Sequence, residues 1–183
     1  MSINTWKHSV KRSIWHYQSS RWNATLIMYT KLSLYKHCIS YESVWPWWQF
    51  SKQWPEYTYK CKVMLRLISG DHPLAAKQRK MGKTCPLCTY MVRADVPHIL
   101  FKCTCQSLCD KRAELRSSII QLCPPRLLHE LDKMNVVTKT IFVLSGLGSS
   151  YIQEWSPLYK VLADFVFTIY NEYINQFTLI MEM

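Results

Sequence analysis

The chain has 183 residues and a mass of 21.8 kDa, and its composition, 49% hydrophobic with 14% of all residues aromatic, can fill a sizeable core and excludes disorder throughout. Its 4 glycines form neither a GxGxxG nor a P-loop run, so dinucleotide and P-loop nucleotide sites lack their signature and a large Gly-turned β-barrel is excluded. The net charge of +11 falls wholly on residues 1–83, which hold 14 Lys and Arg against 3 acids, while residues 84–183 hold 9 of each. Such a one-sided positive surface attracts phosphate polyanions, and would attract an anionic membrane too.

Thr5 to Tyr29 predicts a helix, because Trp6, Val10, Ile14 and Tyr17 recur as one apolar stripe with Lys7, Lys11, Arg12 and Arg21 off it. Tyr41 to Trp54 carries four tryptophans around Pro46, too irregularly for a regular element, and reads as a loop packed on the core. Pro55 then opens a helix over Glu56 to Ser69, closed by Gly70, with Tyr57, Cys61, Met64 and Ile68 on its buried face. A short helix from Pro73 to Met81 ends at Gly82, and a cysteine-rich block follows, Cys85 to Cys109. Leu108, Leu115, Ile119 and Leu122 mark the next helix, stopped by Pro124-Pro125. Arg126 to Met134 and Thr138 to Leu144 predict short helices, and Gly146 and Gly148 break the chain after them. Pro157 to Phe177 is the strongest periodic segment, through Leu158, Val161, Leu162, Phe165, Ile169, Tyr173 and Phe177.

The expected fold is mainly α, an irregular helical array around a small CCHC zinc knuckle, with a short β-hairpin between Cys88 and Val96. Three segments are expected: 1–69 as a basic, Trp-rich helical lead-in, 70–110 as the knuckle region, and 111–183 as a C-terminal helical segment. Val161 to Met181 is the most apolar stretch, but Asp164, Asn171, Glu172, Asn175 and Gln176 argue against a membrane span. The first residues lack the apolar core of a signal peptide, which points to an intracellular, nuclear or cytoplasmic setting. In that reducing environment the 8 cysteines are expected as thiols or metal ligands.

The sharpest motif is Cys85-x2-Cys88-x9-His98-x4-Cys103. A tight turn between two cysteines two residues apart lets both sulfurs face one ion. His98 and Cys103 supply the second pair, at a spacing suited to the start of a helix. Four ligands of this kind close a tetrahedral shell around one structural Zn²⁺ and leave no position for a catalytic water. Cys105 and Cys109 are alternatives to Cys103 as the fourth ligand. Buried thiols with a core histidine, or a redox CxxC, are the competing explanations of the same residues.

The run Leu65-Arg66-Leu67-Ile68-Ser69-Gly70-Asp71-His72-Pro73-Leu74, then Met81-Gly82, then Cys85-Pro86-Leu87-Cys88 to His98-Ile99-Leu100-Phe101-Lys102-Cys103, resembles the C-terminal zinc-knuckle region of LINE-type (non-LTR) retrotransposon reverse transcriptases. Arg79 fits the family's middle element loosely, and Cys109 to Leu115 is similar to the helix that follows its knuckle. The specific part covers about residues 63–116. The family's polymerase needs a palm with paired aspartates, and here Asp71, Asp95, Asp110, Asp132 and Asp164 are scattered. Nor is an endonuclease block visible. The resemblance therefore implies a non-catalytic tail that contacts RNA, DNA or both, with an upstream reverse transcriptase domain as a further partner and no small-molecule substrate.

The residues themselves point the same way. Lys60, Lys62, Arg66, Lys77, Arg79, Lys80 and Lys83 cluster just ahead of the knuckle, where phosphate contacts would give affinity without sequence choice. Tyr90, Phe101, Trp47 and Trp48 are candidates for stacking on unpaired bases. The alternative is a zinc-stabilised protein-interaction module, in which the same charges form a solvated face. Histidines and cysteines outside the knuckle show no spacing that links them into a catalytic set.

Overall fold

A computed structural model describes residues 2–29, 32–72, 84–88, 92–123, 125–146 and 153–181. The protein is mainly α. Its helices in chain order are α1 (Ile3–Met28), α2 (Tyr35–Cys38), α3 (Pro46–Gln53), α4 (Thr58–Ser69), α5 (Gln106–Leu122), α6 (Pro125–Lys133), α7 (Val136–Ser145) and α8 (Ser156–Met181). A 3₁₀ turn, Pro55–Tyr57, leads into α4, and a π-turn, His98–Lys102, precedes α5. The short helix expected over Pro73 to Met81 lies outside the described residues. No helix among the described residues is long and apolar enough to cross a membrane.

α8 is the axis of the fold. Leu158, Tyr159, Leu162, Ala163, Phe165, Val166, Ile169, Tyr170, Tyr173 and Phe177 are all buried along its 26 residues. Helices α4 and α5 and the π-turn pack on it. One buried cluster runs from Cys38 to Phe177 and takes in residues of the lead-in, the cysteine block and the C-terminal segment.

The stretch expected as a Trp-rich loop contains a helix, α3. Pro46 opens it at the first position, where a missing N–H costs nothing. Trp47, Phe50 and Ser51 then fall at helical spacing on its buried side. The Phe50 ring stacks on Tyr159 of α8 at 5.3 Å and on Trp54 at 4.8 Å, and Trp47 meets Tyr159 edge-on at 4.7 Å. Two indoles also close the end of α7: Trp45 Nε1 donates to the Leu144 carbonyl at 3.0 Å and Trp47 Nε1 to that of Val143 at 3.1 Å. These carbonyls sit in the last turn, where the helix offers no partner of its own. Gly146 follows at φ +81°, and a Cβ there would meet Pro46 Cβ and the Tyr159 hydroxyl at 3.1 Å.

α4 ends as the sequence predicts. Gly70 takes φ +68°, and the amides of Gly70 and Asp71 return to the carbonyls of Leu67 and Arg66 at 3.3 and 3.0 Å. That pair of bonds satisfies the last carbonyls of the helix. Cys61, Met64 and Ile68 are buried, while Tyr57, in the 3₁₀ turn ahead of the helix, is only half-buried.

α1 is 26 residues long and starts at Ser2, whose side chain accepts from the Thr5 amide. Its apolar stripe does not face the body: Trp6, Ile14 and Tyr17 are 57%, 57% and 60% exposed. Contact with the rest runs through another face, where Trp22 lies against Tyr35 and Tyr41, Trp15 lies against Tyr41, and Leu26 is buried. The spacing identifies an apolar face without identifying what covers it.

Among the described residues no strand forms. The expected hairpin is represented by one antiparallel bridge, Thr84 with Arg93, which begins ahead of Cys85.

Candidate metal centre

Two short devices present the four predicted ligands. The first is the Thr84–Arg93 bridge, tightened by the Cys85 amide donating to the Val92 carbonyl at 2.8 Å. It sets Cys85, with Cys88 three residues on. The second is the helical turn after Asp95, whose carboxylate accepts from the His98 amide at 2.9 Å and so caps the turn. The turn then closes with a π-type bond, from the Cys103 amide to the His98 carbonyl, at 2.8 Å. In an α-helix, residues five apart point about 140° away from each other. The wider turn carries Cys103 round until it shares a side with His98.

The ligating atoms of Cys85, Cys88, His98 and Cys103 all lie within 4.8 Å of one another, close enough to hold a metal ion. The Cys85 and Cys103 sulfurs are 3.8 Å apart, and the Cys88 sulfur is 3.6 Å from His98 Nε2. Cys85, His98 and Cys103 are buried and Cys88 is half-buried. None of the eight cysteines is in a disulfide. The two alternative ligands turn elsewhere, Cys105 to the Ser107 hydroxyl at 3.5 Å and Cys109 to the Cys103 carbonyl at 3.8 Å.

Electrostatics favour a thiolate in the cluster. Cys85 is held well below the usual thiol range, chiefly because the Cys103 thiol donates to it, with help from the Tyr173 hydroxyl and the Leu87 amide. Cys103, which keeps that proton beside the Cys85 charge and is buried as well, is pushed up. A metal ion displaces such shared protons, since the bound ligand is the thiolate.

Two further residues contact the candidate ligands, and the Cys-x2-Cys-x9-His-x4-Cys spacing does not reveal them. Tyr173 of α8 is fully buried and donates to the Cys85 sulfur at 3.5 Å. Burial pushes its hydroxyl up, and the neighbouring Cys85 adds to this, so it remains a donor. Arg112 of α5 donates to the Cys103 carbonyl and to the Cys109 sulfur, the latter at 3.2 Å. Arg112 follows Cys103 by nine residues and Tyr173 follows Cys85 by 88, so only the fold unites them with the site.

Three of the seven predicted basic residues are described. Lys60 forms an ion pair with Asp164 of α8, and its ammonium sits 4.5 Å from the centre of the Tyr57 ring. Lys62 and Arg66 are exposed, one turn apart on α4. Lys77, Arg79, Lys80 and Lys83 lie outside the described residues, as does Tyr90. Trp47 is fully buried with its indole bonded to Val143, so it offers no stacking face, whereas Trp48 is exposed. Phe101 is half-buried against Phe165, ring centres 5.8 Å apart. Two cations that the sequence reading passed over, Arg93 and Lys102, line an open cleft of about 400 Å³ beside His98, together with Asp95 and Thr104. Their closeness in sequence to the ligands was the available signal.

Comparison with protein-family models, curated proteins and solved structures finds no match for this chain.

Proposed function

We propose that the chain is a zinc-binding, nucleic-acid-binding module, not catalytic by itself, similar to the C-terminal knuckle region of a LINE-type reverse transcriptase. The observation that carries the zinc assignment is the convergence of four ligating atoms, three sulfurs and an imidazole nitrogen, within 4.8 Å of one another. A tetrahedron with metal–sulfur bonds of 2.3 Å and metal–nitrogen bonds near 2.0 Å has edges of about 3.8 Å between sulfurs and about 3.6 Å between sulfur and nitrogen. The cluster has a 3.8 Å sulfur–sulfur edge and a 3.6 Å sulfur–nitrogen edge. Three thiols with one imidazole suit zinc over the hard cations, which take oxygen ligands. Four protein ligands fill the shell, so the ion's role is structural.

Support for the nucleic-acid partner is electrostatic. The excess charge of +11 lies on residues 1–83. Lys62 and Arg66 are exposed on α4, and Arg93 and Lys102 flank the cleft at the knuckle. Phosphate groups are the natural counter-charge for such residues, with unpaired bases reaching exposed rings. The exposed apolar stripe of α1 favours the second reading, a zinc-stabilised protein-interaction module.

One preparation tests both parts. Zinc at one equivalent per chain is expected in the purified protein and its loss in Cys88→Ser; no zinc, or zinc kept in that variant, refutes the metal assignment. Single-stranded RNA affinity is expected to fall steeply with salt. Replacing Lys62, Arg66 and Lys102 together by Ala should flatten the log–log slope by about two units. Replacing Arg126, Lys133 and Lys139 removes equal charge and should leave the slope nearly unchanged. Equal changes, or no RNA binding at low salt, favour the protein-interaction reading.

A further inference from the structure

The four ligands come from a stretch of 19 residues, yet the centre does not stand alone in the molecule. Cys85 and Cys103 form its inner edge and are buried, while half-buried Cys88 pairs with His98 on the outer edge, next to the cleft. The inner edge faces α8. Tyr173, with no exposed surface, points its hydroxyl at the Cys85 sulfur, 3.5 Å away.

We propose that Tyr173 is a positioning residue of the metal centre: its O–H···S bond fixes the Cys85 ligand and ties the C-terminal helix to the bound ion. The inference rests on the metal-binding reading above. Its physical basis is the charge of the site. Three thiolates on a divalent ion leave a net negative charge on the sulfurs. A hydroxyl donor aimed at one of them in a buried setting stabilises that charge and narrows the orientations open to the side chain. The backbone of Cys85 is already set by its bond to Val92, so the hydroxyl acts on the remaining freedom, the direction of the sulfur.

The same helix supplies the control. Tyr170 lies one turn earlier, is also buried, and its hydroxyl has no hydrogen-bond partner among the described residues. Both side chains present a large ring to the core. Only Tyr173 has its hydroxyl on a ligand, so removing one oxygen from each separates ring packing from the bond to sulfur.

The test uses the full chain with Co²⁺ in place of zinc, because cobalt–thiolate charge-transfer bands report on the sulfurs directly. Wild type, Tyr173→Phe and Tyr170→Phe are titrated with Co²⁺, and Zn²⁺ affinity is measured by competition. Tyr173→Phe is expected to lose roughly tenfold in affinity, the lower end for removal of an outer hydrogen bond to a metal ligand. Its charge-transfer band should move to lower energy, since an unbonded sulfur gives up its electron more readily. Tyr170→Phe should keep wild-type affinity and band position. The band is read at saturating cobalt, so a general loss of stability leaves it in place. An unshifted band in Tyr173→Phe overturns the proposal, with or without a change in affinity. A wild-type chain that binds neither cobalt nor zinc refutes the metal reading itself, which is a separate result.

Discussion

Single buried thiols outside the metal cluster carry a measurable pH signature. Cys38 and Cys61 are both buried, and loss of solvent pushes each up to about 12 from an ordinary 9.0. The direction fixes the sign. Below about pH 9 the folded and unfolded chains both keep these protons, and the full contribution is present. As the pH rises from 9 towards 12 the unfolded chain releases them first, so stability falls, by up to about 1.4 kcal/mol per pH unit for each thiol. Urea denaturation of Cys61→Ala across this range should show a shallower decline than wild type; parallel curves would refute the assignment. At the same scale, the four residues that converge were legible in the sequence because each pair is local and its spacing is a matter of chain geometry. Tyr173 and Arg112 were not, because hydroxyls and guanidinium groups occur everywhere and only packing selects which one meets a sulfur.

At the scale of elements, α4 and α8 were readable from periodicity and from Gly70, a residue whose left-handed conformation ends a helix cheaply. α3 was missed although its signals were present: Pro46 at the first position and Trp47, Phe50 and Ser51 at helical spacing. Tryptophans on every side of that short segment hid the pattern, and two of them turned out to serve another element. Trp45 and Trp47 end α7 by bonding its last carbonyls. Trp47→Phe keeps a ring but leaves the Val143 carbonyl without its indole donor in a buried setting. The expected cost is about 1–3 kcal/mol for the orphaned acceptor, beyond the smaller ring. Chemical denaturation of Trp47→Phe beside Trp48→Phe, whose parent side chain is exposed, checks this: equal losses would mean that the indole bond adds nothing.

For the whole molecule, the cysteine block and the helices share one core. Cys85, Ala94, Val96, Ile99, Leu100 and Cys103 belong to the same buried cluster as the inward face of α8. Metal removal should therefore weaken the entire fold. Adding a strong chelator is expected to lower the melting temperature of α-helical circular dichroism in a single transition, with α8 lost together with the rest. A chelated protein that retains its helical signal with an unchanged midpoint would show that the cysteine block folds apart from the helices. The sequence could not supply this integration, since a ligand motif states which residues meet an ion and not what the finished turn leans on.

α1 stands in the opposite relation to that core. The shared cluster begins at Cys38, with Leu34 and Tyr35 packed against it, and no α1 residue belongs to it. Leu26 is the buried residue of α1, and Lys7, Lys11, Arg12 and Arg21 ride on a helix that is largely exposed. A chain without α1 would lose Lys7, Lys11, Arg12 and Arg21 and keep every side chain of the cluster. The buried body and the exposed, cationic first helix thus offer two unlike surfaces on one polypeptide.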